Sequence, residues 1–152
     1  MFNDQNKLIA RRLIEEGFNK HNLKLLDDIY TADAQIHDPQ QPIVGRGPDG
    51  ARQSMQVYLT AFPDSKLTIE REIAEGDFVV QHVRATGTHS AELAGIPATG
   101  KKTNVTGVVT SKFKDGKIVE SWSLFDQLGL MQQIGVVPLP EVVKHRELVG
   151  AR

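Results

Sequence analysis

The chain has no cysteine, a single tryptophan, two tyrosines, and no apolar run approaching the length of a membrane span. Without cysteine there are no disulfides, thiolate nucleophiles or zinc–thiolate sites. The opening MFNDQNKLIARR lacks the apolar core of a signal peptide, so a cytoplasmic location is expected and membrane association is not. A formal net charge of -1 supplies no cationic surplus for nucleic acid or an anionic membrane. The histidines form no His-x-His pair and no His-Glu-x-x-His helix, so no metal is expected. No Gly-x-Ser-x-Gly elbow occurs, and Gly45-x-Gly47 lacks both the preceding strand and the third glycine of a phosphate-cradling loop.

What is present reads as one globular domain of 152 residues, 39% hydrophobic and 24% charged. Asn3 or Asp4 can cap a first helix whose apolar stripe is Ile9, Ala10, Leu13, Ile14, Gly17 and Phe18. Asn22 is placed to cap a second, shorter helix with Leu25, Leu26, Ile29 and Tyr30 inward. A short strand around Ala34 to His37 stops at Asp38-Pro39. Pro48 and Asp49 suit the first turn of a third helix, in which Ala51, Met55, Tyr58, Leu59 and Phe62 recur at helical spacing.

From Lys66 the period changes to two. Leu67, Ile69 and Ile73 alternate with Thr68, Glu70 and Glu72, the pattern of a half-buried strand. Gly76-Asp77 turns into a longer strand from Phe78 to about Thr88, and a loop from His89 to Lys101 leads to a long hairpin. Asp115-Gly116 is the hairpin turn, because both central residues of such a turn need positive φ. Helices first and hairpin-linked strands afterwards predict an α+β domain with a largely antiparallel sheet. Curved, with bulges at glycines such as Gly107, that sheet would form a half-open cone closed by three N-terminal helices, with room for a small molecule. Residues 1–135 make the domain; 136–152 form a tail that can pack on a partner subunit.

Five motifs together resemble the SnoaL-like polyketide cyclase (ester cyclase) family of the nuclear-transport-factor-two-like superfamily. They are Ile36-His37-Asp38-Pro39, Ala61-Phe62-Pro63-Asp64, Gly87-Thr88-His89 with Leu93 to Gly100, Asp115 to Trp122, and Phe125 to Leu130. The resemblance spans roughly Asn6 to Gly135. It implies a conical α+β barrel with an apolar pocket, no metal or organic cofactor, and a homodimer formed through the sheet. It also implies acid–base chemistry on an apolar carbonyl or ester compound. The family's acid/base aspartate aligns with Ser123 here, and its histidine two residues earlier with Ser121, so both serines are expected to line the site.

Three residues are candidates for catalysis, each with a plainer reading. His37 is a base oriented by Asp38, or a surface histidine. His89 reaches over the cavity rim, or anchors its loop. Asp126 is a buried carboxylate, or the N-cap of the helix that follows it. Tyr58, Phe62, Arg84 and Trp122 are expected to contact substrate, although His82 and Arg84 share a strand parity whose plainer reading is a polar outer face or a dimer contact. A chain with the fold but without catalysis, serving as a small-molecule binder or a dimerisation module, is the alternative.

Overall fold

The computed structural model describes residues 2–41 and 44–140. Four α-helices and five strands succeed one another: α1 (Phe2–Arg12), α2 (Leu26–Ile29), β1 (Tyr30–His37), α3 (Gly47–Ala61), β2 (Lys66–Glu75), β3 (Phe78–Thr88), β4 (Lys102–Lys114), β5 (Lys117–Phe125) and α4 (Gln127–Gln133). The strands form one sheet in the order β1-β5-β4-β3-β2, mixed and not closed, with β1 parallel to β5 and every other pair antiparallel. The α+β class and the N-terminal helical layer are as expected. β1 is longer than the four residues expected, because Tyr30 leaves the helix and begins the strand. No helix among the described residues is long and apolar enough to cross a membrane.

α1 continues through a π-helical turn, Leu13–Phe18, which ends with Asn19 N–H donating to the Ile14 carbonyl at 3.0 Å. Leu13, Ile14 and Phe18 all point inward there. Asn19 then acts as a surrogate strand partner. Its amide nitrogen donates to the Leu67 carbonyl at 2.9 Å, and its oxygen accepts from Leu67 N–H at 2.8 Å, occupying the free edge of β2. One core cluster joins Ala10, Leu13, Leu26, Ile29, Ala34 and Ile118; a second joins Ile14, Phe18, Leu59, Val83 and Val109.

The hairpin turn is as its sequence requires, with φ of 51° at Asp115 and 76° at Gly116. Two other expectations fail. The pairing of β2 with β3 slips between Ile69 and Arg71, and one extra residue reverses the alternation beyond it. Ile73 is consequently 55% exposed, while Glu72 is turned inward to accept from Gln81 Nε2 at 2.8 Å and Arg11 Nε at 2.9 Å. Gly107, by contrast, is no bulge: its register is unbroken on both sides, opposite Val83 and Phe125. A Cβ there would collide with the Phe125 ring. Gly107→Ala should therefore cost about 1–3 kcal/mol by overpacking, measurable by urea denaturation. The tail's expected helical turns and its packing on a partner lie mostly at 141–152, outside the described residues.

Candidate active site

Between the helical layer and the inner face of the sheet lies a cavity of about 120 Å³. Leu13, Ile14 and Phe18 roof it; Val105, Val109 and Phe125 are part of its floor. Strand alternation selects the residues. On β5, Ser121 and Ser123 face the cavity with Phe125, while Glu120, Trp122 and Leu124 take the outer parity. Tyr58 and Phe62 reach it from α3 and the residue that ends it.

Among the described residues Asp38 is the one carboxylate in this wall, and none of them brings a His, Lys, Arg or Glu to it. Asp38 is 9% exposed and held from four directions. Gln40 N–H donates to Oδ1 at 2.9 Å. Oδ2 accepts from Gln41 Nε2 at 3.1 Å, from Tyr58 OH at 3.2 Å and from Ser54 Oγ at 3.4 Å. Burial first, and the Asp38 carboxylate second, push the Tyr58 phenol well above the ordinary tyrosine range, so it remains a proton donor. Pro39 brings Asp38 into place by ending the strand. In the parallel pair His37 stands opposite Trp122, so the next residue along each chain is Asp38 on one side and Ser123 on the other.

Tyr30, also in the wall, is wholly buried. Burial pushes its phenol up to about 12, with the Ser121 hydroxyl acting in the opposite direction. The folded state thus keeps this proton up to about pH 12, whereas the unfolded chain releases it near the ordinary value of about 10. Stability should be intact below pH 10 and fall as pH rises from about 10 to 12, by on the order of 2–3 kcal/mol from this group. Tyr30→Phe removes that contribution. Urea midpoints at pH 9 and pH 12 should differ less for the variant than for the parent protein.

The remaining expected residues stand elsewhere. His37 lies on the outer face, its Nε2 2.8 Å from Glu120 Oε1 and its ring stacked on Trp122 at 5.3 Å. The residue after it, not His37 itself, enters the cavity. Trp122 is on the same outer face, tilted against Phe78 at 6.3 Å. Arg84 is outside too, bound to Glu70 and to Asn104. Asp126 is exposed and caps α4, accepting from Gly129 N–H at 2.9 Å. His89 is wholly buried behind Phe62, with ring centroids 5.5 Å apart, and its Nδ1 accepts from Thr99 N–H at 3.3 Å. Sequence reasoning used Asp38 only as a partner for His37. The signal for its true place was parity: Asp38 shares a face with Ile36, which packs against the core.

The sequence pattern of the SnoaL-like polyketide cyclases matches residues 8–134 of the chain. Solved structures agree. AclR from Streptomyces galilaeus, a candidate hydroxylase, is 25% identical with a TM-score of 0.81, covering 98% of this chain and 93% of its own. IdmH from Streptomyces antibioticus, a candidate polyketide cyclase, is 32% identical with a TM-score of 0.76, over 87% of this chain and 99% of its own. TsrD from Streptomyces laurentii, 24% identical with a TM-score of 0.79 over 88% and 97%, shares the fold. With that pattern running over residues 8–134 and the sheet topology in agreement with it, the chain belongs to the SnoaL-like polyketide cyclase family.

Proposed function

We propose that the chain is a small-molecule enzyme that moves a proton at a carbon next to a carbonyl or ester group. Asp38 is the base. The observation that carries this reading is the composition of the wall, where Asp38 is the one carboxylate among the described residues, the others being apolar, hydroxyl-bearing or, at Gln127, an amide. Its place beside Ser123 supports the reading further. The carboxylate that the resemblance puts on β5 is supplied here from the end of the adjacent strand.

In the proposed step an Asp38 oxygen takes the α-proton, and the C–H electron pair becomes the enolate. Ser121 and Ser123 offer hydroxyl hydrogens to the enolate oxygen, the role of an oxyanion hole. Tyr58 and Ser54 position Asp38. If a second carbonyl of the same molecule lies within reach, the enolate carbon bonds to it and closes a ring. The new alkoxide then recovers the proton from Asp38, so the cycle is balanced without an added oxidant or reductant. The apolar roof and floor suit an uncharged, ring-bearing substrate.

The test needs no knowledge of the natural substrate. Deuterium exchange into the α-position of 2-acetonaphthone and of β-keto esters, followed by NMR, should be accelerated by the protein. It should survive His37→Ala and fail in Asp38→Asn. Loss with His37→Ala but not with Asp38→Asn would move the chemistry off the cavity and overturn the reading. Ser121 and Ser123, standing where the cyclases carry a titrating pair, favour a second reading as a ligand-binding protein. Tight binding of these compounds without any exchange would select it.

A further inference from the structure

α4 runs against the usual rule for a helix laid on an apolar cavity. At helical spacing its inward stripe is Gln127 and Leu130, continued by Ile134. Leu130 and Ile134 are buried, and Gln127 and Leu130 both line the cavity. Leu128, the next residue along, is 60% exposed instead. An amide thus faces the cavity while a leucine faces out. Breaks of a local rule of this kind are expected at functional positions.

The helix is fixed by other residues. Asp126 N–H donates to the Thr106 carbonyl at 3.0 Å, and the Asp126 carboxylate caps the first turn. At the far end Gln133 Oε1 accepts from Asn104 N–H at 2.7 Å, and its Nε2 donates to the Asn104 carbonyl at 3.0 Å. Among the described residues these neighbours, and not Gln127, make the side-chain hydrogen bonds of the segment. Gln127 is held in place, and either end of its half-buried amide can turn to a ligand. Other donors of the wall are committed: Ser54 and Tyr58 to Asp38, and Thr103 to the Gly87 carbonyl. Gln127 also stands apart from the base. Ser123, level with Asp38, pairs with Val109, whereas the chain enters α4 level with Thr106. Three residues of β4 are about 10 Å of extended strand.

We propose that Gln127 is a specificity-determining residue, whose Nε2 donates to a carbonyl oxygen of the substrate about 10 Å along the cavity from Asp38. A carbonyl oxygen can only accept, so the N–H end of the amide is the end that reads it. The substrate is then an uncharged compound with a second carbonyl group remote from the reacting one. This rests on the cavity being the ligand site, but not on Asp38 moving a proton. An analogue without that oxygen would leave the amide N–H against an apolar surface and bind more weakly.

The probe pair is 2,6-diacetylnaphthalene and its analogue with one C=O replaced by an isosteric C=CH₂ group, with affinities taken by calorimetry. The protein should bind the diketone at least about fivefold more tightly. Gln127→Leu should bring the two affinities within about twofold of each other. Gln127→Glu, which keeps the shape but has no N–H, should do the same. Gln127→Leu should melt no earlier than the parent protein, because leucine suits the inward stripe of α4. Equal affinities in the parent, an unchanged preference in Gln127→Leu, or no binding of either compound overturns the assignment. So does a Gln127→Glu protein that keeps the preference, since the amide would then be an acceptor. A lowered Tm in Gln127→Leu overturns it as well, since the amide would then be structural. The two proposals fail separately: preference without α-proton exchange sinks the proton transfer alone, and exchange without preference sinks the role of Gln127 alone.

Discussion

Asp38→Asn should lower α-proton exchange by about 10²–10⁴-fold, the range of a positioned acid or base. Asparagine keeps the shape and can still accept from Gln40 N–H, but it cannot take up a proton. Its amide hydrogens would face three donors, Gln41 Nε2, Ser54 Oγ and Tyr58 OH, where a carboxylate oxygen accepted from all of them. Losing those charge-assisted bonds should cost about 1–3 kcal/mol of stability. Exchange must therefore be compared well below both melting temperatures. Tyr58→Phe separates positioning from chemistry. It removes one of the bonds on Oδ2 and leaves the base in place, so exchange should drop by only about tenfold, as expected when a base is loosened rather than lost. A Tyr58→Phe loss as deep as that of Asp38→Asn would make the phenol a proton-transfer group.

Gly47→Ala should be among the more damaging single methyls, costing about 2–5 kcal/mol. Two effects combine. Gly47 holds φ of 67°, a left-handed conformation that costs an alanine roughly 1–2 kcal/mol. An added Cβ would also collide with the Ala32 carbonyl oxygen, and backbone cannot rotate aside as a side chain can. At this chain length the expected fall in Tm is roughly 5–15 °C. Gly100→Ala is the matched control, with φ of 69° and nothing within 4 Å of its Cβ position. It should show the conformational cost alone. Gly47 seats the start of α3 against β1, and α3 carries Ser54 and Tyr58, so exchange should weaken along with stability. Equal Tm losses in the two variants would mean that the Ala32 contact relaxes freely.

Much of the fold was legible in the residues themselves. Asp115-Gly116 dictated its turn because few residue pairs accept positive φ twice. The apolar stripe of α3 fixed a helix, and the Gly76-Asp77 turn fixed where β3 begins. On β5 the resemblance pointed to Ser121 and Ser123, which share the inner face, whereas Trp122, expected beside them, takes the outer one. Reading failed where one residue changed the phase. The slip between Ile69 and Arg71 exchanged the faces of Glu72 and Ile73, and nothing in the local pattern announces an inserted residue. Gly107 misled for a different reason: its partner is the Phe125 ring on the neighbouring strand, a contact that exists only once β4 and β5 pair.

The sequence by itself determined the elements, their order and the family, because these depend on local periodicity, turn chemistry and motif order. Which carboxylate enters the cavity was decided by tertiary structure alone. In the linear chain the candidates are His37, His89 and Asp126, and Asp38 enters only as a partner of His37. Parallel pairing of β1 with β5 then sends the His37 ring onto Trp122 outside and leaves Asp38 level with Ser123 inside. Asp126, one residue beyond its strand, is turned to the N-terminus of α4 instead. A side chain's face is set by the register of its strand against a partner far away in sequence, and no window of neighbouring residues contains that information.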